Sequence, residues 1–219
     1  QQKALSIISR VIDNRLEKNY EPKKTQGNIF EVIKLCDVDM SQGTWLILTR
    51  TNPLLKPIPA VLKNKGLFFK TSDGNSISKS LYDDVLNWDK FRKGEILPEI
   101  LEQRLLEKIK GKPNLKLEWH QAFTNVAPSK IDYLRMMLIN GEKIDKEPRI
   151  TISTIHGAKG GEANNVILFL NQTTNTIKAA KKSIYKQDEE YRVWYVGVTR
   201  TIENLYLVKC KNKRKEFMI

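Results

Sequence analysis

Two stretches of the sequence place glycines and cationic and hydroxyl-bearing residues beside apolar runs, in numbers that core packing does not require. Residues 151–170 read TISTIHGAKGGEANNVILFL, and residues 188–200 read DEEYRVWYVGVTR. In the first stretch, a glycine-rich charged turn separates two apolar runs that are typical of buried strands. Such a turn lets the backbone approach a phosphate or a ribose closely. In the second, Arg200 ends an amphipathic element and could reach a phosphoryl group.

These stretches resemble motifs V and VI of the UvrD/Rep-like superfamily 1 DNA helicases, whose patterns are approximately T-x-H-x-x-K-G-x-E and E-E-x-R-x-x-Y-V-x-x-T-R-A. The residues that match the first pattern are Thr154, His156, Lys159, Gly160 and Glu162. The residues that match the second are Glu189, Glu190, Arg192, Tyr195, Val196, Thr199 and Arg200. The chain departs from the family at Gly161, where Leu is usual, and at Thr201, where Ala is usual.

A third match lies upstream, where residues 45–52 read WLILTRTN, an apolar strand that ends in Arg-Thr-Asn. This segment resembles motif IVa of the same family, which lies at the edge of the single-strand channel. The residues before it fit as well, with a predicted amphipathic helix at 3–16, a polar loop at 22–27 and a strand at 29–35. The resemblance therefore covers nearly the whole chain, and it is weak between residues 91 and 148.

The resemblance implies a nucleotide role for four residues. Arg200 would be an arginine finger that stabilises charge on the γ-phosphate of ATP, and Glu162 would accept a hydrogen bond from the ribose, with Gly160 and Gly161 beside the nucleotide. The alternatives are a surface or capping role for Arg200 and a strand-edge salt bridge for Glu162.

The resemblance also implies that six residues contact single-stranded DNA, and these are Arg50, Thr51, Asn52, Thr154, His156 and Lys159. Their polar groups could bond phosphate oxygens without reading sequence. The alternatives are solvation of a strand end for Arg50–Asn52, a place in the interdomain coupling network for Thr154 and His156, a structural role for His156, and pairing with a carboxylate for Lys159. Charges on a helix are structural by default, so we expect Glu190 and Arg192 to make local ion pairs.

Alternating apolar segments predict an α/β fold with a mainly parallel sheet flanked by helices, which the resemblance makes RecA-like. Predicted strands lie at residues 29–35, 44–49, 67–70, 150–154, 165–170 and 204–209. Predicted helices lie at residues 3–16, 55–64, 78–91, 98–109, 129–140 and 187–198. Ser129 has the character of an N-cap, and Gly141 that of a helix stop.

The segment from residue 91 to residue 146 breaks the alternation of strands and helices. We expect residues 1–90 and 147–219 to form the motor domain, with 91–146 as a small helical insertion that resembles a reduced accessory subdomain. Trp119 and Phe123 in this segment are spaced by four residues, which favours a place in its core. Contact with duplex or with a partner protein is the alternative.

The formal charge of +13, from 38 Lys and Arg against 25 Asp and Glu, favours a polyanionic partner. A lysine-rich composition is also what an AT-biased genome produces, so both explanations stay open. Cys36 and Cys210 are isolated and lack metal-ligand spacing, and no signal peptide or membrane span is evident. We expect the protein to reside in the reducing cytoplasm of a bacterium or of a phage-infected cell.

No G-x-x-x-x-G-K-[ST] phosphate loop occurs in the sequence, and no apolar strand ends in a magnesium-binding acidic pair. We therefore expect this chain to be the second RecA-like motor domain of a longer protein, whose first motor domain would make most of the contacts to ATP with Mg²⁺. These residues alone should show negligible ATP hydrolysis. The family resemblance implies a DNA helicase or translocase of replication or repair that acts on single strands and duplex junctions. The Lys-Gly form of the first motif implies 3′ to 5′ movement. A non-catalytic nucleic-acid-binding or regulatory module with the same fold is the alternative.

Overall fold

The computed structural model describes residues 27–158 and 160–219 together with Ile7. Most of the predicted helix at residues 3–16, most of the loop at 22–27, and Lys159 lie outside the described residues. The strands are β1 (Asn28–Val32), β2 (Trp45–Thr49), β3 (Phe69–Thr71), β4 (Gly74–Asn75), β5 (Ile150–Thr154), β6 (Ala163–Phe169) and β7 (Thr201–Val208). The helices are α1 (Asn52–Leu55), α2 (Ile58–Asn64), α3 (Lys79–Arg92), α4 (Glu99–Leu106), α5 (Trp119–Ala122), α6 (Pro128–Ile139), α7 (Thr174–Ala180) and α8 (Ile184–Thr199). None of the helices in this part of the chain is long and apolar enough to cross a membrane.

The chain divides into two compact units, and the first comprises Gln1–Val61 and Arg149–Ile219. Its five described strands lie in the order β1-β7-β6-β2-β5, and every neighbouring pair is parallel. Parallel neighbours need crossover connections, because each strand starts at the same edge of the sheet. This arrangement confirms the predicted α/β class with a mainly parallel sheet.

Helix α8 covers one face of this sheet. The strand residues that point to that face are branched and aliphatic, and they are Leu46, Leu48, Val166, Leu168, Leu205 and Leu207. Trp194 and Val198 of α8 are buried among them, and the Trp194 ring stacks on Phe217 with 4.5 Å between centroids. Burial of each large apolar side chain contributes about 1.5–3 kcal/mol, so this contact holds α8 firmly to the sheet.

Three asparagines align neighbouring strands near the amino edge of the sheet. The Asn28 amide donates to Asn204 Oδ1 at 3.0 Å, and the Asn204 amide donates to Asn165 Oδ1 at 2.8 Å. Since each asparagine belongs to a different strand, the chain of bonds fixes the register of β1, β7 and β6. The amino and carboxyl ends of these strands are thereby held in line.

The second unit, Leu62–Pro148, consists of helices and a short antiparallel hairpin of β3 and β4. Trp88 is fully buried, its indole N–H donates to the Leu117 carbonyl at 3.0 Å, and Phe123 meets its ring edge-on. Trp119 is also buried and packs against Phe123. The core role favoured for Trp119 and Phe123 is therefore confirmed. The predicted insertion at residues 91–146 lies entirely within this unit.

Several predicted boundaries change for local reasons. The predicted helix at 55–64 is two helices, because Pro53 lies in the first turn of α1 and Pro57 precedes α2, and a proline ring is accommodated only in a first helical turn. Ser129 is not an N-cap, since α6 begins at Pro128 after Ala127. Gly141 is confirmed as a helix stop, with φ of +71° just after α6. The prediction missed α5, α7 and β4.

Gly66 gives a stability prediction with an internal control. Its φ is +62°, and a Cβ there would lie 2.7 Å from Met136 Cβ and 2.9 Å from the Met136 carbonyl carbon. We expect Gly66→Ala to lower the free energy of unfolding by about 2–4 kcal/mol, from backbone strain and overpacking together. Gly94 has a φ of +86° with nothing within 4 Å, so Gly94→Ala should cost only about 1 kcal/mol. Equal losses in urea denaturation of the two variants would contradict the close contact.

Candidate functional site

The parallel sheet separates the candidate residues into two sets on opposite edges. The carboxyl-edge set follows the ends of β2 and β5 and consists of Arg50, Thr51, Asn52, Thr154 and His156. The amino-edge set precedes or meets the starts of β6 and β7 and consists of Gly160, Gly161, Glu162 and Arg200. A strand of five residues spans about 17 Å, so the two sets lie roughly that far apart along the strands.

A short crossover, residues 155–162, connects the two edges. It leaves the end of β5 with a bond from the Ile155 amide to the Thr49 carbonyl at 2.9 Å, then makes one helical turn in which the Ala158 amide donates to the Thr154 carbonyl at 3.0 Å. Ile155 and Ala158 are buried in the same core as α8. Gly160, with φ of +86°, then directs the chain into β6. The first motif therefore spans the sheet from one edge to the other.

Gly197 lets α8 pack tightly on this crossover. A Cβ at Gly197 would lie 3.3 Å from both Ile155 Cδ1 and Leu168 Cδ1, which is closer than side-chain carbons normally pack. The helix backbone thus rests directly on the Ile155 side chain. The two sequence motifs, which begin more than thirty positions apart, are in direct contact in the fold.

At the amino edge, Arg200 and Glu162 immediately precede the adjacent strands β7 and β6. The amide of Ala163, the residue after Glu162, donates to the Arg200 carbonyl at 3.2 Å. Glu162 and Arg200 therefore lie at neighbouring strand starts. Arg200 Nε donates to the Val196 carbonyl at 3.2 Å and Nη2 contacts Thr199 Oγ1 at 3.5 Å, so three of its five N–H donors have no partner among the described residues. The exposed Glu162 carboxylate has no ion pair in that part of the chain.

At the carboxyl edge, Glu190 of α8 accepts hydrogen bonds from three side chains, one on the same helix and two in loops that follow strands. Arg50 donates to it through Nε at 2.9 Å and Nη2 at 2.8 Å, which makes a two-pronged ion pair. Trp194 Nε1 donates at 2.7 Å and Gln172 Nε2 at 3.2 Å. The Glu190 side chain is only 8% exposed and that of Arg50 18%. We call these four residues the Glu190 cluster.

Within the Glu190 cluster, Arg50 has a carboxylate partner in the protein itself. Glu190 was expected to pair locally, and its charge partner is instead 140 positions away, while Arg192 does pair locally with Asp188 on the same helix. Arg50 Nε and Nη2 already donate to Glu190, which leaves fewer donors for a ligand. Direct contact between Arg50 and DNA stays a prediction. Gln172 and Trp194 were not singled out for this role. The i,i+4 spacing of Glu190 and Trp194 on an amphipathic helix was the signal that could have found the second of them.

The hydroxyls of Thr51 and Thr154 point away from solvent or bond within the chain. Thr51 is the residue before α1, and its Oγ1 is buried with no hydrogen-bond partner among the described residues. Thr154 Oγ1 accepts from the Gly157 amide at 3.1 Å, which stabilises the start of the crossover. Asn52 and His156 are exposed. These two are the members of the carboxyl-edge set whose polar groups are most open to a ligand.

A cavity of about 730 Å³ opens beside the Glu190 cluster. Its lining includes Arg50, His156, Asn175, Lys182, Lys186 and Arg192. Among these lining residues, only Arg50 and His156 were predicted from sequence to contact a ligand, and the cavity brings these two together. The other lining residues come from α7, the turn after it and α8. Helix α7 went unrecognised because its sequence TNTIKAA lacks apolar periodicity. Lys186 pairs with Glu189 at 2.7 Å, so part of the cationic lining is neutralised.

Comparison with known families identifies this fold. Residues 105–212 match the family model for the UvrD-like helicase C-terminal domain. No curated protein sequence matches the chain. The matched range contains the crossover, Glu162, Glu190 and Arg200, whereas Arg50 lies before it. The chain therefore carries a UvrD/Rep-like C-terminal helicase domain with a RecA-like α/β sheet.

Proposed function

We propose that this chain is the C-terminal motor domain of an ATP-dependent DNA helicase or translocase that moves 3′ to 5′. The observation that supports this most is the division of the candidate residues between opposite sheet edges, joined by the crossover and α8. A motor has to connect a nucleotide site to a nucleic-acid site, and this arrangement provides a packed connection between them. We further propose that residues 91–146 are a reduced accessory insertion.

In this proposal the amino edge contacts ATP with Mg²⁺, which the first RecA-like domain of the same protein would hold in the main. Bound ATP supplies the phosphoryl group whose transfer to water releases free energy. Arg200 has unpartnered donors with which to stabilise developing phosphoryl charge, and Glu162 has an unpaired carboxylate to accept a ribose hydroxyl, as judged among the described residues. Gly160 and Gly161 leave the backbone open beside them.

The carboxyl edge would contact single-stranded DNA through Arg50, Thr51, Asn52, Thr154 and His156, and Lys159 of the same motif would add a further cation. Phosphate contacts of this kind position a strand without reading its sequence. The charge distribution supports a polyanionic partner, because residues 1–61 and 149–219 carry 22 Lys and Arg against 12 Asp and Glu. Closure of the ATP-binding cleft would then move this edge relative to the strand.

A pair of charge-matched double variants tests the assignment of the edges. We expect Asn52→Ala with His156→Ala to weaken binding of a mixed-sequence single strand about tenfold, because two polar contacts worth about 0.5–1.5 kcal/mol each are lost. Glu162→Ala with Arg200→Ala should leave that affinity within about twofold, since both residues lie at the other edge. Both doubles leave the formal charge unchanged with His neutral. Fluorescence anisotropy with a labelled oligonucleotide measures the difference.

The reverse pattern, or equal losses in both variants, would contradict the proposed edges. If the wild-type chain binds no single strand at low salt, the nucleic-acid function itself fails. A chain that binds the strand normally, yet whose amino-edge substitutions never affect ATP turnover in the complete protein, would be a non-catalytic binding module.

A further inference from the structure

The segment after β7 carries an unusual concentration of positive charge. Residues 209–215 read KCKNKRK, which places five cations in seven positions. We call these residues the basic segment. It begins where β7 ends, so it lies at the carboxyl edge of the parallel sheet. The proposed nucleotide and single-strand contacts do not include it.

Backbone and buried side-chain bonds hold the basic segment in one conformation. The Gln172 amide donates to the Lys215 carbonyl and the Phe217 amide to the Leu170 carbonyl, each at 2.8 Å. The buried Glu216 carboxylate accepts from the Cys210 amide at 2.9 Å. Asn212 caps the short 3-10 helix Lys213–Lys215 by accepting from the Arg214 amide at 3.1 Å. The cations therefore project from a fixed backbone, and binding need not order the segment first.

Only part of this charge is neutralised within the protein. Lys209 pairs with Glu31 at 3.0 Å, and Lys213 pairs with Glu216 at 3.0 Å. Lys211, Arg214 and Lys215 are exposed, and none has a carboxylate partner among the described residues. Three like charges held on five consecutive positions repel one another, and a polyanion that replaces their small counterions relieves that repulsion.

Gln172 places the basic segment next to the Glu190 cluster. Its backbone amide bonds Lys215, and its side chain bonds Glu190 Oε1 at 3.2 Å, the carboxylate that also holds Arg50. One residue thus lies between the segment and the predicted DNA contacts. Arg214 and Lys215 lie beyond the residues that match the helicase family model, so the family match assigns them no role.

We propose that Lys211, Arg214 and Lys215 form a phosphate-binding surface that extends the path of a single-stranded nucleic acid along the carboxyl edge, past Arg50 and over Gln172. The inference rests on the proposed nucleic-acid function. The ligand chemistry is the phosphodiester backbone, because lysine and arginine charges on a fixed segment attract phosphates without reading bases.

The test replaces Lys211, Arg214 and Lys215 together by Gln and compares this variant with Lys79, Lys93 and Lys143 replaced by Gln. The control removes the same charge from three exposed lysines of the second unit. For a labelled oligothymidine across a salt series, the first variant should lower the slope of log affinity against log salt by about 2, from three contacts of about 0.7 each. At about 0.1 M salt its affinity should fall roughly a hundredfold, and the control should stay within about threefold.

Circular dichroism melts establish that both variants are folded, which their exposed positions lead us to expect. Equal slopes for the two variants would overturn the proposal, since net charge alone would then explain binding. Polyglutamate of equal charge that competes as well as the oligonucleotide would also overturn it in favour of an acidic protein partner. If the wild type binds the oligonucleotide and Asn52→Ala with His156→Ala weakens it, but the basic segment has no effect, only this inference fails. If the wild type does not bind, the proposed function fails.

Discussion

Arg200→Ala in the complete motor protein is expected to lower ATP turnover about a thousandfold or more, the usual scale for an arginine finger. Single-strand affinity should stay nearly unchanged, because Arg200 lies at the amino edge, away from Asn52 and His156. The physical reason is that a planar guanidinium can neutralise charge on two phosphoryl oxygens at once. Steady-state hydrolysis at saturating single strand, together with oligonucleotide binding, measures both quantities.

Two further variants make the Arg200 result specific. Arg200→Lys keeps the charge but loses the forked geometry, so turnover should remain far below that of the wild type. Arg135→Ala removes an exposed arginine of the second unit and should leave turnover unchanged. Loss of strand affinity with intact turnover after Arg200→Ala would show that Arg200 belongs to the nucleic-acid surface instead.

Glu190→Ala is expected to lower the free energy of unfolding by about 3–5 kcal/mol, the usual cost of leaving one member of a buried ion pair uncompensated. The substitution removes the acceptor for Arg50, Trp194 and Gln172 together. Glu190→Gln should cost less, because the amide oxygen can still accept from Trp194. Urea denaturation of the wild type and the two variants, fitted with one common dependence of the free energy of unfolding on urea concentration, measures the difference.

The neighbouring acid and a double-mutant cycle provide controls for Glu190. Glu189 is exposed and pairs with Lys186 on the surface, so Glu189→Ala should change the free energy of unfolding by less than about 1 kcal/mol. Arg50→Ala combined with Glu190→Ala should cost less than the sum of the two single changes, since the second change removes a charge that the first left unpaired. Additive costs would mean that the two residues do not act as a unit.

Strands β2 and β6 could be predicted from sequence because each contains a continuous apolar run, and β5 because its apolar residues alternate with polar ones. The prediction of β5 at residues 150–154 matches Ile150–Thr154, and the prediction at 44–49 differs from Trp45–Thr49 by one residue. Helix α7 was missed because its polar sequence has little apolar periodicity, and its start signal is a single bond from the Thr176 amide to Thr173 Oγ1 at 3.2 Å. Local pattern therefore served buried elements better than surface ones.

Which candidate residues become neighbours along each edge of the sheet was beyond sequence reasoning. It depends on the order β1-β7-β6-β2-β5, in which β2 comes to lie between β5 and β6, and no local pattern encodes that order. The pairing of Arg50 with Glu190 joins positions 140 residues apart for the same reason. The motifs indicated which residues belong to a site, whereas the topology decided which of them are neighbours.

Helix α8 runs from the carboxyl edge of the sheet to its amino edge. The Glu190 carboxylate ties it near one edge and Arg200 ends it at the other, ten residues or about 15 Å further along the axis. A tilt of about 4° about the Glu190 tie would therefore shift Arg200 by roughly 1 Å, a displacement that can change a reaction rate about a hundredfold. Because the helix backbone at Gly197 packs against the Ile155 side chain, such a tilt has to be accompanied by movement of the crossover. A small tilt of α8 at the carboxyl edge is thus a larger displacement of Arg200 at the amino edge.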